Sequence, residues 1–282
     1  MKIIASLVLY RHEYQSVSRT LTSLLEEESV SKLVIVDNGA YCHWLLELDN
    51  PKIEVIRVQE NAGFGAGHNQ VFSRFEEHTG HFLICNPDID FEKGEVDKLY
   101  QFCLQGNIDL AVPKIVYPDG RLQHACKTLP SPYQLFMRRF ISQFTSSLNQ
   151  DYELHSADYS KPFFAPSLSG CFMLVSNKAV RDVGYFDTRF FLYLEDVDLS
   201  RRICENHRVS YCPDSVVVHE SQRRSYRDKR FLAYHIISAV KYFNKWGWFF
   251  DQQRKDLNNR CLSKLPRAEN NMPQFTRVED DK

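Results

Sequence analysis

The sequence has no C-x-x-C pair, no apolar run approaching the roughly 20 residues of a membrane span, and almost no net charge, the formal value being -1. The first absence argues against a zinc site or a disulfide frame. The 8 cysteines (Cys42, Cys85, Cys103, Cys126, Cys171, Cys204, Cys212 and Cys261) read as reduced, buried thiols of a cytosolic protein. The second leaves no spanning helix. The third removes any whole-protein field that would favour nucleic acid, so no nucleic-acid partner is expected. The opening Ile3–Leu9 run has no small-residue cleavage site and passes straight into Arg11-His12-Glu13. It reads as a first strand, not a signal peptide.

What is there alternates. Apolar runs at 3–9, 32–36, 53–58 and 81–85 read as buried strands, and helical spacing between them covers 14–28, 41–48 and 68–78. Strand and helix in turn predict an α/β fold with a doubly wound, mostly parallel central sheet, helices on both faces and right-handed crossovers. A helix near 94–105, a strand near 108–113, a hairpin turn at Tyr117-Pro118-Asp119-Gly120-Arg121, a strand at 169–175 and short strands at 208–212 and 215–218 complete the domain. An amphipathic helical segment, 229–250, follows, and the tail 266–282 reads as disordered. The expected organisation is one domain over 1–250, with a first half (1–113) and a second half (114–228). In the latter, 124–166 breaks the rhythm. Phe136, Phe140 and Phe144 there fall at i, i+4 and i+8 beside Arg138 and Arg139. A core-facing helix, a mobile lid and a headgroup contact are all open readings.

Chemistry concentrates in four places. Phe82–Cys85 runs into Asn86-Pro87-Asp88-Ile89-Asp90, which puts Asp88 and Asp90 at a strand's C-terminal end, where open α/β sheets hold ligands. Two close carboxylates repel unless a cation or protons neutralise them, and a divalent metal, Mg2+ or Mn2+, carrying a phosphate-bearing substrate would do so, although Asn-Pro-Asp is also an ordinary turn. Asn61-Ala62-Gly63-Phe64-Gly65-Ala66-Gly67-His68-Asn69 spaces glycines at every second position, which suits close approach to a ligand. It is not the G-x-G-x-x-G of a dinucleotide site, and it follows the third strand instead of the first. Glu195-Asp196-Val197-Asp198 places three acids at a helix start, more than one cap needs. His219 closes a strand as a candidate metal ligand. Arg223 and Arg224 in the basic run behind it suit a diphosphate.

These motifs in this order (Val-Asp-Asn at 36–38, Asn-x-Gly-Phe-Gly at 61–65, Asn-Pro-Asp at 86–88, Ser-Gly-x-Phe-Met-Leu at 169–174, Glu-Asp-Val-Asp-Leu at 195–199, then His219) resemble glycosyltransferase family 2, with its GT-A fold, over about residues 1–250. More narrowly, the chain is similar to the bacterial rhamnosyltransferases of O-antigen assembly. The resemblance implies roles by position. Leu9, Tyr10, Arg11, Asp37, Asn38, Asn61, Gly63, Gly65 and Asn69 would line the donor nucleotide. Asp88 and His219, with Asp90 beside them, would hold the metal. Asp196 would be the general base. Glu195, Gly170, Arg223 and Arg224 would meet the diphosphate or the acceptor. Arg11 stands where the family often has Asn, and many close relatives keep only the first Asp of the pair. The implied reaction is inverting transfer from a nucleotide-sugar donor, dTDP-β-L-rhamnose, to a polyprenyl-diphosphate-linked saccharide at the cytoplasmic face of the inner membrane, which the protein would touch peripherally. A UDP-hexose donor, a dinucleotide-dependent oxidoreductase and a non-catalytic sugar-nucleotide binder are the rivals; the glycine spacing argues against the second.

Overall fold

The computed structural model describes residues 3–77, 79–140, 150–220 and 228–267. In chain order the strands are β1 (Ile3–Leu9), β2 (Val30–Asn38), β3 (Ile53–Val58), β4 (His81–Cys85), β5 (Ile89–Asp90), β6 (Leu110–Val116), β7 (Cys126–Lys127), β8 (Ser167–Leu168), β9 (Phe172–Ser176) and β10 (Val209–His219). The helices are α1 (Tyr14–Glu26), α2 (Phe64–Phe75), α3 (Glu95–Gly106), α4 (Pro132–Phe140), α5 (Asn177–Val183), α6 (Glu195–Ile203), α7 (Lys229–Trp246) and α8 (Gln252–Lys264), with a 3-10 turn at His43–Glu47.

Eight strands form one sheet in the order β3-β2-β1-β4-β9-β6-β10-β5. The four at the β3 end are parallel; β1, β2 and β4 are largely buried apolar runs, while β3 at the sheet edge is only partly buried and carries Glu54 and Arg57. β9 then runs antiparallel between β4 and β6, and β5 antiparallel to the end of β10. The two segments expected at 208–212 and 215–218 are one strand, shifted in register between Cys212 and Val216. Period-2 alternation divides the core. Leu33 and Ile35 join Leu7, Leu24 and Leu99 on one face, while Val34 and Val36 join Phe72, Phe190 and Leu199 on the other. All 8 cysteines are buried free thiols, as their apolar contexts foretold.

Three expectations change. The described parts of 124–166 belong to the core, with Leu129, Leu154, Phe163 and Ala165 buried, but Phe136 is exposed and Leu135 turns inward. Arg138, Arg139, Phe140 and Phe144 lie outside what is described of side chains. Helix α8 occupies a stretch left without an element by periodicity, and it buries Leu257, Cys261 and Leu265 against the same core. Pro266 accepts a hydrogen bond from Asp158 N at 2.7 Å, so the expected free tail does not begin there; residues 268–282 lie outside the described residues. Among the described residues, no helix is long and apolar enough to cross a membrane.

The C-terminal helices are locked to α6 through one buried arginine. Arg201, 1% exposed, donates from Nη1 to Asp251 Oδ2 at 2.8 Å and from Nε to Gln253 at 2.6 Å. Its guanidinium lies 4.0 Å from the centre of the Trp246 ring. Asp198 on the same helix accepts from Trp246 Nε1 and is paired with Lys245, each at 2.7 Å. The third acid of the Glu-Asp-x-Asp stretch is therefore structural. Arg201→Met is expected to cost about 3–5 kcal/mol in urea unfolding, because it leaves Asp251 buried without its partner. Arg201→Met with Asp251→Leu should recover most of that loss. A single variant as stable as wild type would show the lock to be dispensable.

Candidate active site

Strand pairing brings the first pair of residues together. Pro87 and Asp88 form a turn after β4, and β5 then pairs with the end of β10, with Ile89 opposite His219. Glu220 N donates to Asp88 O at 3.0 Å across the same junction. That register delivers His219 Nε2 to 3.3 Å from Asp88 Oδ1. Burial pushes the Asp88 carboxyl up, but the His219 contact outweighs it and the net displacement is downward. Burial pulls His219 down, yet Cys171 and Asp88 outweigh it and raise the imidazolium to about 10. Asp88 Oδ1 is buried and accepts no hydrogen bond. The half-buried Asp88 carboxylate and the His219 ring, the latter as neutral imidazole after giving up its proton, fit a hard divalent cation that takes its remaining oxygen ligands from phosphate and water.

Asp90 does not join them. The turn at 87–88 breaks the strand alternation that would have aligned the two carboxylates, and Asp90 Oδ1 accepts from Ser23 Oγ of α1 at 3.2 Å. Among the described residues no group of three His, Cys, Asp or Glu could hold a metal ion. The metal-ligand set expected from sequence is thereby reduced to Asp88 and His219.

Asp196 sits in the first turn of α6, behind two consecutive non-glycine residues in the left-handed region, Tyr193 (φ 71) and Leu194 (φ 67). Such a pair costs of order 1–3 kcal/mol per residue and is held by its surroundings; here Leu194 is buried and Leu192 O accepts from Ser238 Oγ at 2.8 Å. Asp196 Oδ2 accepts from Gly170 N at 2.9 Å and Oδ1 from Val197 N at 2.8 Å. A Cβ at Gly170 would lie 2.9 Å from Asp196 Cβ, so only glycine allows that approach. Burial raises the Asp196 carboxyl above its ordinary range despite both backbone donors. Glu195 is buried beside it, with Oε2 unpartnered among the described atoms, and burial and Asp196 hold it far above the usual carboxylate range.

Gly170 and Cys171 join the two groups. Gly170 N holds Asp196, Cys171 O accepts from Asn86 N at 2.8 Å next to Asp88, and the Cys171 side chain meets His219. Residues 88, 196 and 219, far apart in the chain, therefore surround one crossing of the backbone.

The nucleotide-side residues divide into exposed groups and structural ones. Tyr10 and Arg11 are exposed at the end of β1, Arg11 in the left-handed region at φ 57. The Arg11 guanidinium stacks 4.3 Å from the Tyr41 ring, and Tyr10 meets Tyr41 edge-on at 5.6 Å. Leu9 is fully buried and belongs to the core. Asp37 is spent on its own turn, accepting from Tyr41 N at 3.0 Å and Cys42 N at 3.2 Å. Asn38 Nδ2 donates to Asn61 Oδ1 at 2.9 Å and Gly63 O at 3.0 Å, which pins the loop above it. Asn69 exchanges two hydrogen bonds with the backbone of Phe186. The glycine repeat does not form a loop throughout. Only Gly63 has positive φ, 101°, while Gly65 and Gly67 lie inside α2, where an added Cβ would come within 2.7 Å of Phe186 and Val8 side chains. Their work is close packing. Arg223 and Arg224 lie outside the described residues.

Two groups escaped the sequence reading. Tyr41 is the third member of the exposed ring cluster; nothing in its local pattern marks it. Gln123 grips His219 at both ends, its Oε1 lying 3.0 Å from Nδ1 and its Nε2 donating to the His219 carbonyl at 2.8 Å. It sets which ring nitrogen faces Asp88. The Pro-Asp-Gly turn at 118–120 could have located it, because that reversal returns 122–123 alongside β6, the neighbour of β10.

Residues 7–183 match the family model described as "Glycosyl transferase family 2". The chain is 27% identical over 191 residues to the N-acetylglucosaminyl-diphospho-decaprenol L-rhamnosyltransferase of Mycobacterium tuberculosis, an alignment covering 63% of this chain and 62% of that protein. It is 23% identical over 246 residues, 82% of this chain and 76% of the other, to a low-salt glycan biosynthesis hexosyltransferase of Haloferax volcanii. Among solved structures, a mannosyltransferase of Pyrobaculum calidifontis in complex with GDP-Man and Mn2+ superposes with a TM-score of 0.57 over 85% of this chain and 64% of its own, at 15% identity. GalNAc-T7 with UDP, GalNAc and Mn2+ does so at 0.58 over 77% and 43%, at 13% identity. The two superpositions establish a GT-A fold. Together with a family match over most of the sheet and the motif order above, they lead to one assignment: the chain belongs to glycosyl transferase family 2.

Proposed function

We propose that this protein is an inverting, metal-dependent sugar transferase that moves L-rhamnose from dTDP-β-L-rhamnose to a polyprenyl-diphosphate-linked saccharide, in O-antigen or related cell-surface polysaccharide synthesis, at the cytoplasmic face of the inner membrane. The observation that carries the reading is the meeting of the Asp88–His219 pair and Asp196 at Gly170-Cys171. The rhamnosyl donor and lipid-diphosphate acceptor are supported by the name of the mycobacterial relative. A UDP-hexose donor is the second reading; the hexosyltransferase relative supports its hexose part.

In this reading the nucleobase stacks at the exposed Tyr10–Arg11–Tyr41 cluster, and the loop pinned by Asn38 shapes the path of the donor. Asp88 and His219 would hold Mg2+ or Mn2+, which when bound balances charge on the departing diphosphate. Gln123 keeps His219 in the required orientation. Asp196 takes the proton of the acceptor hydroxyl as its oxygen bonds to the anomeric carbon. The carbon–oxygen bond to the diphosphate breaks with its electron pair on the leaving group, and configuration inverts. One carboxylate suffices, because no covalent sugar intermediate forms, unlike retaining glycosidases. The Gly170 and Val197 amides aim the base. The domain division at about residues 113 and 228, with donor side and acceptor side, belongs to the same proposal.

Asp196→Asn is expected to lower kcat by about 10²-fold or more while leaving dTDP affinity nearly intact; a variant turning over like wild type would remove Asp196 from the chemistry. The ionised base is the active form and burial raises its pKa, so kcat/KM should climb with pH along a limb above the ordinary carboxylate value of about 4. A limb at that ordinary value would contradict the environment assigned to Asp196. In thermal-shift titrations, dTDP with Mn2+ should stabilise wild type more than dTDP with EDTA. Asp88→Ala should abolish that difference, and Gln123→Ala should weaken metal affinity by about 10- to 100-fold. Equal shifts with Mn2+ and with EDTA in wild type would reject the metal role.

A further inference from the structure

Helix α7 carries apolar side chains on the face where a surface helix normally carries charge. Its inner face buries Ser238, Tyr242 and Phe243. Its outer face presents Ile236, Ile237 and Val240, exposed to 44%, 49% and 42%. In the turn after it, Trp248 is 38% exposed, Phe249 78% and Phe250 95%, and the two phenylalanines are the most exposed large apolar side chains among the described residues. From Lys229 to Phe250 there is no Asp or Glu, against Lys229, Arg230, Lys241 and Lys245. Asp228 caps the helix and pairs with Arg230, while Asp187 and Asp198 engage Lys245 from below. Lys241 Nζ bonds the Arg189 carbonyl, so its charge faces no carboxylate there. The surface is thus apolar with a cationic surplus.

We propose that the outer face of α7 and the Trp248-Phe249-Phe250 turn form a docking surface for an anionic lipid bilayer, with the helix lying in the headgroup plane. Its apolar face is too narrow for a span and suits interfacial seating. Lys229 and Lys241, for which no carboxylate partner is seen among the described residues, suit acidic headgroups, whereas Lys245 is already paired beneath the helix. A two-fold pairing of this face with itself would set lysine against lysine with no acid on the segment to answer, which disfavours a second copy. Adjacent phenylalanines standing out of a turn fit insertion between lipids better than seating in a protein groove. The buried side of α7 explains why a bilayer here would matter. Tyr234 meets Phe191 at 4.8 Å between ring centres, and Ser238 Oγ bonds Leu192 O. The proposed surface is therefore one helix diameter, about 10 Å, from the segment that leads into Asp196. This deepens the membrane contact put forward above and rests on that reading for the lipid-linked acceptor.

The test is sedimentation of the full chain with vesicles of phosphatidylcholine alone and of phosphatidylcholine with phosphatidylglycerol. Wild type should bind the anionic vesicles, and high salt should weaken that binding. Phe249→Ser with Phe250→Ser should lower it about tenfold or more, with Tm unchanged because both side chains are already in water. Ile236→Ser with Ile237→Ser should act in the same direction. The proposal is overturned if wild type ignores anionic vesicles, if both double variants bind like wild type, or if the phenylalanine variant instead dissolves a dimer or frees a bound protein. Vesicle binding needs neither donor nor acceptor, so loss of sugar transfer alongside intact vesicle binding would sink the transferase reading and leave this surface standing.

Discussion

Everything in the candidate site depends on how closely a backbone amide can approach a carboxylate. Gly170 N reaches Asp196 only because residue 170 has no side chain, with an imagined Cβ 2.9 Å from Asp196 Cβ. Any other residue would push α6 away from the start of β9. The carboxylate would lose a donor, and Cys171, the next residue, would move off His219. A single steric allowance therefore sets the distance between the group read as a base and the pair read as a metal holder.

Around that contact the structure keeps its polar groups on backbone-fixed positions. Asp88 is aimed by strand register, His219 by a glutamine that holds it at both ends, and Asp196 by two amides. The approach to α6 is held in an unfavourable backbone conformation at Tyr193 and Leu194 by the packing of α7 above it. Arg201 and Asp198 then tie α6 to the C-terminal helices. Helix α6 thus serves twice: its first turn presents the carboxylate read as a base, while Asp198 and Arg201 anchor the helices behind it.

The strands were legible because buried parallel strands leave long apolar runs, and Asp88 was legible because a proline ended one of them. The buried thiols followed from the same runs. Side-chain use was harder to read. Asp37, Asn38 and Asn69 have the right chemistry for a sugar or a ribose, but their hydrogen bonds close local turns and loops, which depends on where Cys42, Gly63 and Phe186 arrive. Glycine spacing reveals where Cβ is absent, not whether the freedom is used for φ or for packing; at Gly65 and Gly67 it is packing. Asp90 was read as a neighbour of Asp88 because the two are close in sequence, but after the turn at 87–88 its carboxylate accepts from Ser23 instead. Helix α8 left a faint trace, with Leu257, Cys261 and Leu265 at spacings of four in a polar stretch. Gln123 left none of its own, since its role exists only once a hairpin folds back.

The reversed direction of β9 has a consequence for how this chain must be made. Strand β6 pairs only with β9 and β10, both synthesised after residue 165, so a nascent chain ending there holds the parallel strands β3-β2-β1-β4 with β4 as an open edge and β6 still without its sheet partners. The edge of β4 and the unpaired β6 are both apolar and offer unsatisfied backbone groups, the kind of surface that recruits stray strands or chaperones. The first half of the molecule consequently has no finished sheet during translation. It completes itself only when Phe172–Ser176 slides in, and that same insertion brings Gly170 and Cys171 to the mouth of the sheet.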